Sequence, residues 1–125
     1  MNQAEQQKQQ AAFWRDYSQR LSTAIRYHEA LNAVERAVSL ENENAEGWYI
    51  RGTCFAMLAR YNEALQDFEH ALSLDAQYVP AWDGKAWVLG IMGRKDEALA
   101  AIHTALALDP TYLEAQRRKQ RLKLL

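Results

Sequence analysis

The sequence is short of several things, and each shortage excludes something. It has one cysteine, Cys54, so no internal disulfide can form, and a reducing cytoplasm is the expected setting. It has two prolines, five glycines and few runs of valine, isoleucine or threonine, which argues against a sheet. It lacks an excess of either charge: fifteen basic and sixteen acidic residues leave a net charge of −1. No global field therefore recruits nucleic acid or an anionic membrane. No stretch stays apolar for the ~18 residues that a membrane-spanning helix needs. The opening MNQAEQQKQQ has no apolar centre and is not a secretory signal. The dominant residues are alanine, leucine, glutamate, glutamine and arginine, all strong helix formers, so the expected class is all-α. The 125 residues are enough for one domain with its own core.

A repeat stands out against this background. Residues 26–41 read RYHEALNAVERAVSLE, residues 60–75 read RYNEALQDFEHALSLD, and residues 94–109 read RKDEALAAIHTALALD. The spacing is 34 residues each time, the signature of a stacked helical array. Counted from Ala11, the units are 11–44, 45–78 and 79–112. Position 4 of each unit is tryptophan (Trp14, Trp48, Trp82), and position 8 is small (Ser18, Gly52, Ala86). Position 11 is large and apolar (Leu21, Phe55, Leu89), and position 20 is alanine (Ala30, Ala64, Ala98). Position 24 is apolar (Val34, Phe68, Ile102), and position 27 is alanine again (Ala37, Ala71, Ala105). Small residues let two helix backbones approach, and the large neighbours fill the remaining gaps. One helix pair cannot bury its apolar face alone, whereas a stack of pairs can.

These positions match the tetratricopeptide repeat pattern, and the chain resembles that family over residues 11–112. It departs in two places: only the third unit has the proline at position 32, Pro110, and Lys95 replaces the aromatic of Tyr27 and Tyr61 at position 17. The resemblance implies a right-handed superhelical solenoid of antiparallel helix pairs. It implies a single repeat domain over 11–125, following a polar extension over 1–10 that is either helical or disordered. Residues 113–125, LEAQRRKQRLKLL, read as a capping helix. Ala115 and Leu122 would face back onto the third repeat, and Gln116, Lys119, Gln120 and Lys123 would face solvent. Thr111 and Glu114 have capping-box spacing for the start of that helix.

The sequence offers little for catalysis. His28, His70 and His103 occupy different repeat positions and have no metal-ligand spacing on one face. Cys54 reads as a small buried hydrophobe facing the preceding repeat rather than a nucleophile. There is no strand to carry a phosphate-binding loop. The expectation is a protein that is not an enzyme and holds no cofactor or metal. The basic run Arg117, Arg118, Lys119, Arg121, Lys123 has two readings: a patch for an acidic partner or RNA, or favourable charge near a helix C-terminus. The second is preferred, since no wider basic stripe exists.

The family resemblance implies a partner groove lined by positions near 2, 5, 9, 12 and 13 of each repeat. Those positions here include Arg15, Gln19 and Thr23 in the first repeat, and Glu46, Tyr49, Thr53 and Met57 in the second. They include Asp83, Trp87 and Ile91 in the third, with Arg117 and Arg121 from the cap. The resemblance also implies where a carboxylate clamp for chaperone tails would sit; Arg15, Gln19, Ile50, Pro80 and Gly84 stand there, so the clamp set is absent. Trp87 breaks the tryptophan period. It is read as the anchor of the partner site, with packing against the cap as the alternative. The expected function is an adaptor or chaperone-like module binding a protein or peptide, as a monomer or weak homodimer, without nucleic acid or membrane. The alternative is a structural or self-associating scaffold.

Overall fold

The computed structural model describes residues 2–124, which form seven helices and, among themselves, no strand. They are α1 (Gln3–Thr23), α2 (Tyr27–Leu40), α3 (Ala45–Met57), α4 (Tyr61–Leu74), α5 (Val79–Ile91), α6 (Lys95–Leu108) and α7 (Leu113–Lys123). Met1 of the predicted extension and Leu125 of the predicted capping helix lie outside the described residues. The helices pair as α1 with α2, α3 with α4, and α5 with α6, and each pair stacks on the next through α2–α3, α4–α5 and α6–α7. The odd-numbered helices also touch in sequence, α1–α3, α3–α5 and α5–α7, while no two of α2, α4 and α6 meet. This asymmetry makes one continuous layer of the odd helices and leaves the even ones splayed outside. The architecture is an all-α helical-repeat solenoid.

The small repeat positions are the places where helices cross. Ala30, Ala64 and Ala98 are completely buried, as are Ala71, Ala105, Ser18 and Ala86. Phe68 shows how the repeats exchange volume. A Cβ on Gly52 of α3 would lie 2.9 Å from Phe68 Cε1, and a Cβ on Gly84 of α5 would lie 2.7 Å from the same atom. The phenyl ring therefore occupies the room that two glycines leave on both sides. Where position 24 is the smaller Val34, the matching positions carry Ser18 and Ile50 instead.

Each first helix ends the same way. The N–H of Arg26, Arg60 and Arg94 donates to the carbonyl of Leu21, Phe55 and Leu89 at 2.9, 2.8 and 2.9 Å. The residue before each arginine is left-handed: Ile25, Ala59 and Gly93. This is the Schellman closure. The same arginines then cap α2, α4 and α6 and bind Glu29, Glu63 and Glu97 of the first turn. A cation is the wrong charge for a helix N-terminus, and the glutamate three residues on answers it.

A second periodic bond joins one repeat to the next. Trp48 Nε1 donates to the Asn42 carbonyl at 2.7 Å, and Trp82 Nε1 to the Ala76 carbonyl at 2.8 Å. In α7 the tryptophan position holds Gln116, and its Nε2 donates to the Pro110 carbonyl at 2.6 Å. Trp48 and Trp82 are thus half-buried latches.

At the ends, one open reading is decided and one expectation fails. The polar opening is helical: α1 runs 21 residues, and Asn2 Oδ1 accepts from the Glu5 N–H at 2.8 Å. The capping box at Thr111 does not form. Asp109 Oδ1 takes both the Thr111 N–H at 3.0 Å and its hydroxyl at 2.7 Å, so Tyr112 stands at the N-cap instead and α7 begins at Leu113. A neighbouring carboxylate has captured the residue that would otherwise have capped.

Candidate peptide-binding groove

The layer α1, α3, α5 and α7 carries positions 5 and 9 of each repeat: Arg15 and Gln19, Tyr49 and Thr53, Asp83 and Trp87, Arg117 and Arg121. Along this layer Gln19, Thr23, Glu46, Arg117 and Arg121 are exposed, and Met57 and Ile91 keep 43% and 49% of their surface open to solvent. Arg15, Tyr49, Thr53 and Trp87 are half-buried. Asp83 departs from the others and is buried.

The charges fall into two groups. At the α1 end, Arg15 Nη1 meets Glu41 at 2.9 Å and its Nε meets Glu46 at 3.5 Å, so these charges are spent on one another. At the α5–α7 junction, Arg118 grips Asp83 with both guanidinium edges, at 2.7 and 3.0 Å. Asp83 was expected to face a partner; its carboxylate is instead spent on the capping helix, because a buried carboxylate needs a paired cation. Arg117 and Arg121 form no ion pair among the described residues.

Aromatic rings fill the middle. Tyr49 packs against Phe68 at 5.9 Å and edge-on to Tyr78 at 5.6 Å between centroids. Burial pushes the phenols of Tyr49, Tyr78 and Tyr112 above the usual range, and nearby carboxylates add to this. All three are therefore neutral at physiological pH. Thr53 and Thr23 turn their hydroxyls back to the Tyr49 and Gln19 carbonyls, each at 3.0 Å. Trp87 does two things at once. Its ring lies 5.9 Å from the Arg118 guanidinium carbon, which ties it to the cap. It also forms a wall of an open, mainly apolar cavity of about 240 Å³ with Ala86, Gly90, Ile91, Arg118, Arg121 and Leu122. Elsewhere, Cys54 is buried against α1, 4.0 Å from Ser18 Oγ and 3.9 Å from Ser22 Oγ, and burial raises its thiol pKa.

The profile of the tetratricopeptide repeat matches residues 45–78 and again residues 79–112, together more than half of the chain. The chain belongs to the tetratricopeptide repeat family. No curated protein matched the sequence. Among solved structures, it is similar to the tetratricopeptide repeat domain of Arabidopsis OM64, with a TM-score of 0.89 at 23% identity, covering 94% of this chain and 98% of that one. It is similar to the second such domain of Spaghetti (RPAP3) bound to the HSP90 peptide SRMEEVD, with a TM-score of 0.80 at 26% identity, covering 86% and 100%. The TPR2B domain of yeast Sti1 in its pHsp70 complex gives a TM-score of 0.86 at 20% identity, covering 93% and 98%.

The candidate groove of this tetratricopeptide repeat domain draws in residues beyond those expected. Tyr78 and Tyr112 recur 34 residues apart at position 34, a signal present in the sequence but outside the groove positions carried over from the family. Arg118 had no such signal, because its counterparts at position 6 are Asp16, Ile50 and Gly84.

Proposed function

We propose that this tetratricopeptide repeat domain is a non-enzymatic interaction module, adaptor or chaperone-like, that holds a peptide segment of a partner protein along α1, α3, α5 and α7. One observation carries the reading. Of the groove positions, Arg15, Glu46 and Asp83 are paired within the protein, whereas Trp87, Ile91, Arg117 and Arg121 keep open surface and unspent chemistry. Half-exposed aromatic and arginine side chains are the usual anchors of an interface. The peptide complexes of Spaghetti and of Sti1 support it as precedents of the same fold. Of the clamp residues that the family resemblance implies for chaperone tails, only Arg15 keeps its charge, so a clamp of that kind does not hold the segment. We read the cytoplasm as its setting, supported by the lone buried thiol of Cys54. Among the described residues no helix is long and apolar enough to cross a membrane.

The test is site-specific photocrosslinking in the source cell. A photoreactive side chain at Met57 or Ile91 should capture a partner, and one at exposed His28 or His103 on the outer helices should not. The reverse pattern sinks the reading. The second reading, a self-associating scaffold, is favoured by an exposed ring cluster on α1. Phe13 and Tyr17 are 60% and 41% exposed and stack at 6.1 Å. A tight dimer in sedimentation at low micromolar concentration, lost on Phe13→Ser, would select it.

A further inference from the structure

We propose that the cavity between α5 and α7 takes one apolar side chain of a partner segment whose flanking residues are acidic. This rests on the groove reading above and names the chemistry of its C-terminal end. The first support is where the charge lies. α7 carries Arg117, Arg118, Lys119, Arg121 and Lys123 against Glu114 alone, a balance of +4 in a chain whose total is −1, so the remainder is net acidic. The second is which of these cations are free to act. Arg118 is committed to buried Asp83, and its guanidinium carbon lies 5.9 Å from the Trp87 ring. Arg121 lines the cavity, and Arg117 stands one helical turn before it; both are exposed, and neither has an ion-pair partner among the described residues. The third is the shape. Trp87, Ile91 and Leu122 supply apolar walls around about 240 Å³, below the usual range for a drug-sized ligand and suited to a single large side chain.

A guanidinium binds a carboxylate through two parallel N–H bonds, which fixes direction as well as charge. Two of them beside one apolar slot therefore read a short pattern, an aliphatic or aromatic residue with aspartate or glutamate adjacent. A nucleic acid fits less well. Its affinity comes from many phosphate contacts, and here only two uncommitted arginines face the groove from an otherwise acidic chain.

The experiment is selection of a random peptide display library on the full chain, with a short single-stranded RNA as a second probe. The enriched peptides should carry an apolar residue beside Asp or Glu. Arg121→Glu should weaken them at least about tenfold, the scale of losing one desolvated charge pair. Ile91→Ser, at an exposed position that leaves the fold intact, should remove the preference for the apolar residue. Arg117→Glu with Arg121→Glu should turn the selection toward basic peptides. Enriched peptides with no acidic preference, or ones that Tyr49→Ala and Met57→Ala abolish while Arg121→Glu does not, would overturn this inference and leave the groove reading standing. Failure to enrich any peptide would overturn both. Binding of the RNA probe, abolished by Arg117→Glu with Arg121→Glu, would assign the cations to nucleic acid instead.

Discussion

Position 15 of every repeat adopts the same left-handed backbone with a different residue: Ile25 at φ 60°, Ala59 at 59° and Gly93 at 79°. A side chain with a Cβ costs roughly 1–2 kcal/mol there, and branching at Cβ makes it worse. Ile25 is 73% exposed, so it recovers little by burial. Ile25→Gly should raise the unfolding free energy by about 0.5–1 kcal/mol, after the extra chain entropy of glycine is subtracted. Gly93→Ala should lower it by about 1 kcal/mol. Urea titration reads both, with the slope unchanged. A less stable Ile25→Gly variant would mean that the isoleucine makes contacts worth more than its strain. Phe68 gives the second residue-scale prediction. Gly84→Ala should cost about 1–3 kcal/mol, because its new methyl would press into the phenyl ring. Adding Phe68→Leu to that variant should cost less than Phe68→Leu does in the parent, and a double-mutant cycle showing simple additivity would refute the contact.

At the scale of the element, α4 holds a carboxylate that burial disfavours. Asp67 is almost wholly buried, and this raises its pKa to about 6 despite Arg51, 3.0 Å away. Its value in the folded chain lies above the unfolded one of about 3.9, so its protonation favours the fold. That contribution is complete below about pH 4 and is lost as the pH rises through about 6. Melting temperatures taken across this window should show the parent losing stability relative to Asp67→Asn as the pH rises. Parallel curves would place the titration elsewhere. Which helices form, and which faces they bury, is legible in the sequence, because alanine at positions 20 and 27 and a small residue at position 8 leave few other ways to stack. The helical state of the opening is not. The stretch 3–10 has helix propensity but no apolar face to reveal a period, and the cap that starts it is a single bond, from the Glu5 N–H to Asn2 Oδ1. Asp109 likewise gives no sign in sequence that it will hold Thr111 and displace the capping box.

For the whole molecule, α7 is fastened by Ala115, Leu122, Arg118 and the Gln116 latch, of which only Ala115 and Leu122 are expected from the repeat pattern. The Arg118–Asp83 pair joins residues 35 apart and has no counterpart in the earlier repeats, so the period cannot announce it. Arg118→Leu would strand a buried carboxylate and should cost roughly 3–5 kcal/mol, while Asp83→Leu with Arg118→Leu should cost much less. Repeat arrays are stabilised by nearest-neighbour interfaces, so the damage should stay at one end. Hydrogen exchange should quicken in α7 of the Arg118→Leu variant and stay unchanged in α2 and α3. Uniform acceleration along the chain would show a single cooperative unit instead.

The latch between repeats has an evolutionary consequence. Its acceptor is a main-chain oxygen, contributed in turn by Asn42, Ala76 and Pro110, three residues with nothing else in common. Any amino acid can present that oxygen, so position 32 is free to drift without loosening the joint. Copies made by duplication start out already fitted to one another, and only the donor side of the joint, tryptophan or glutamine, is left under selection.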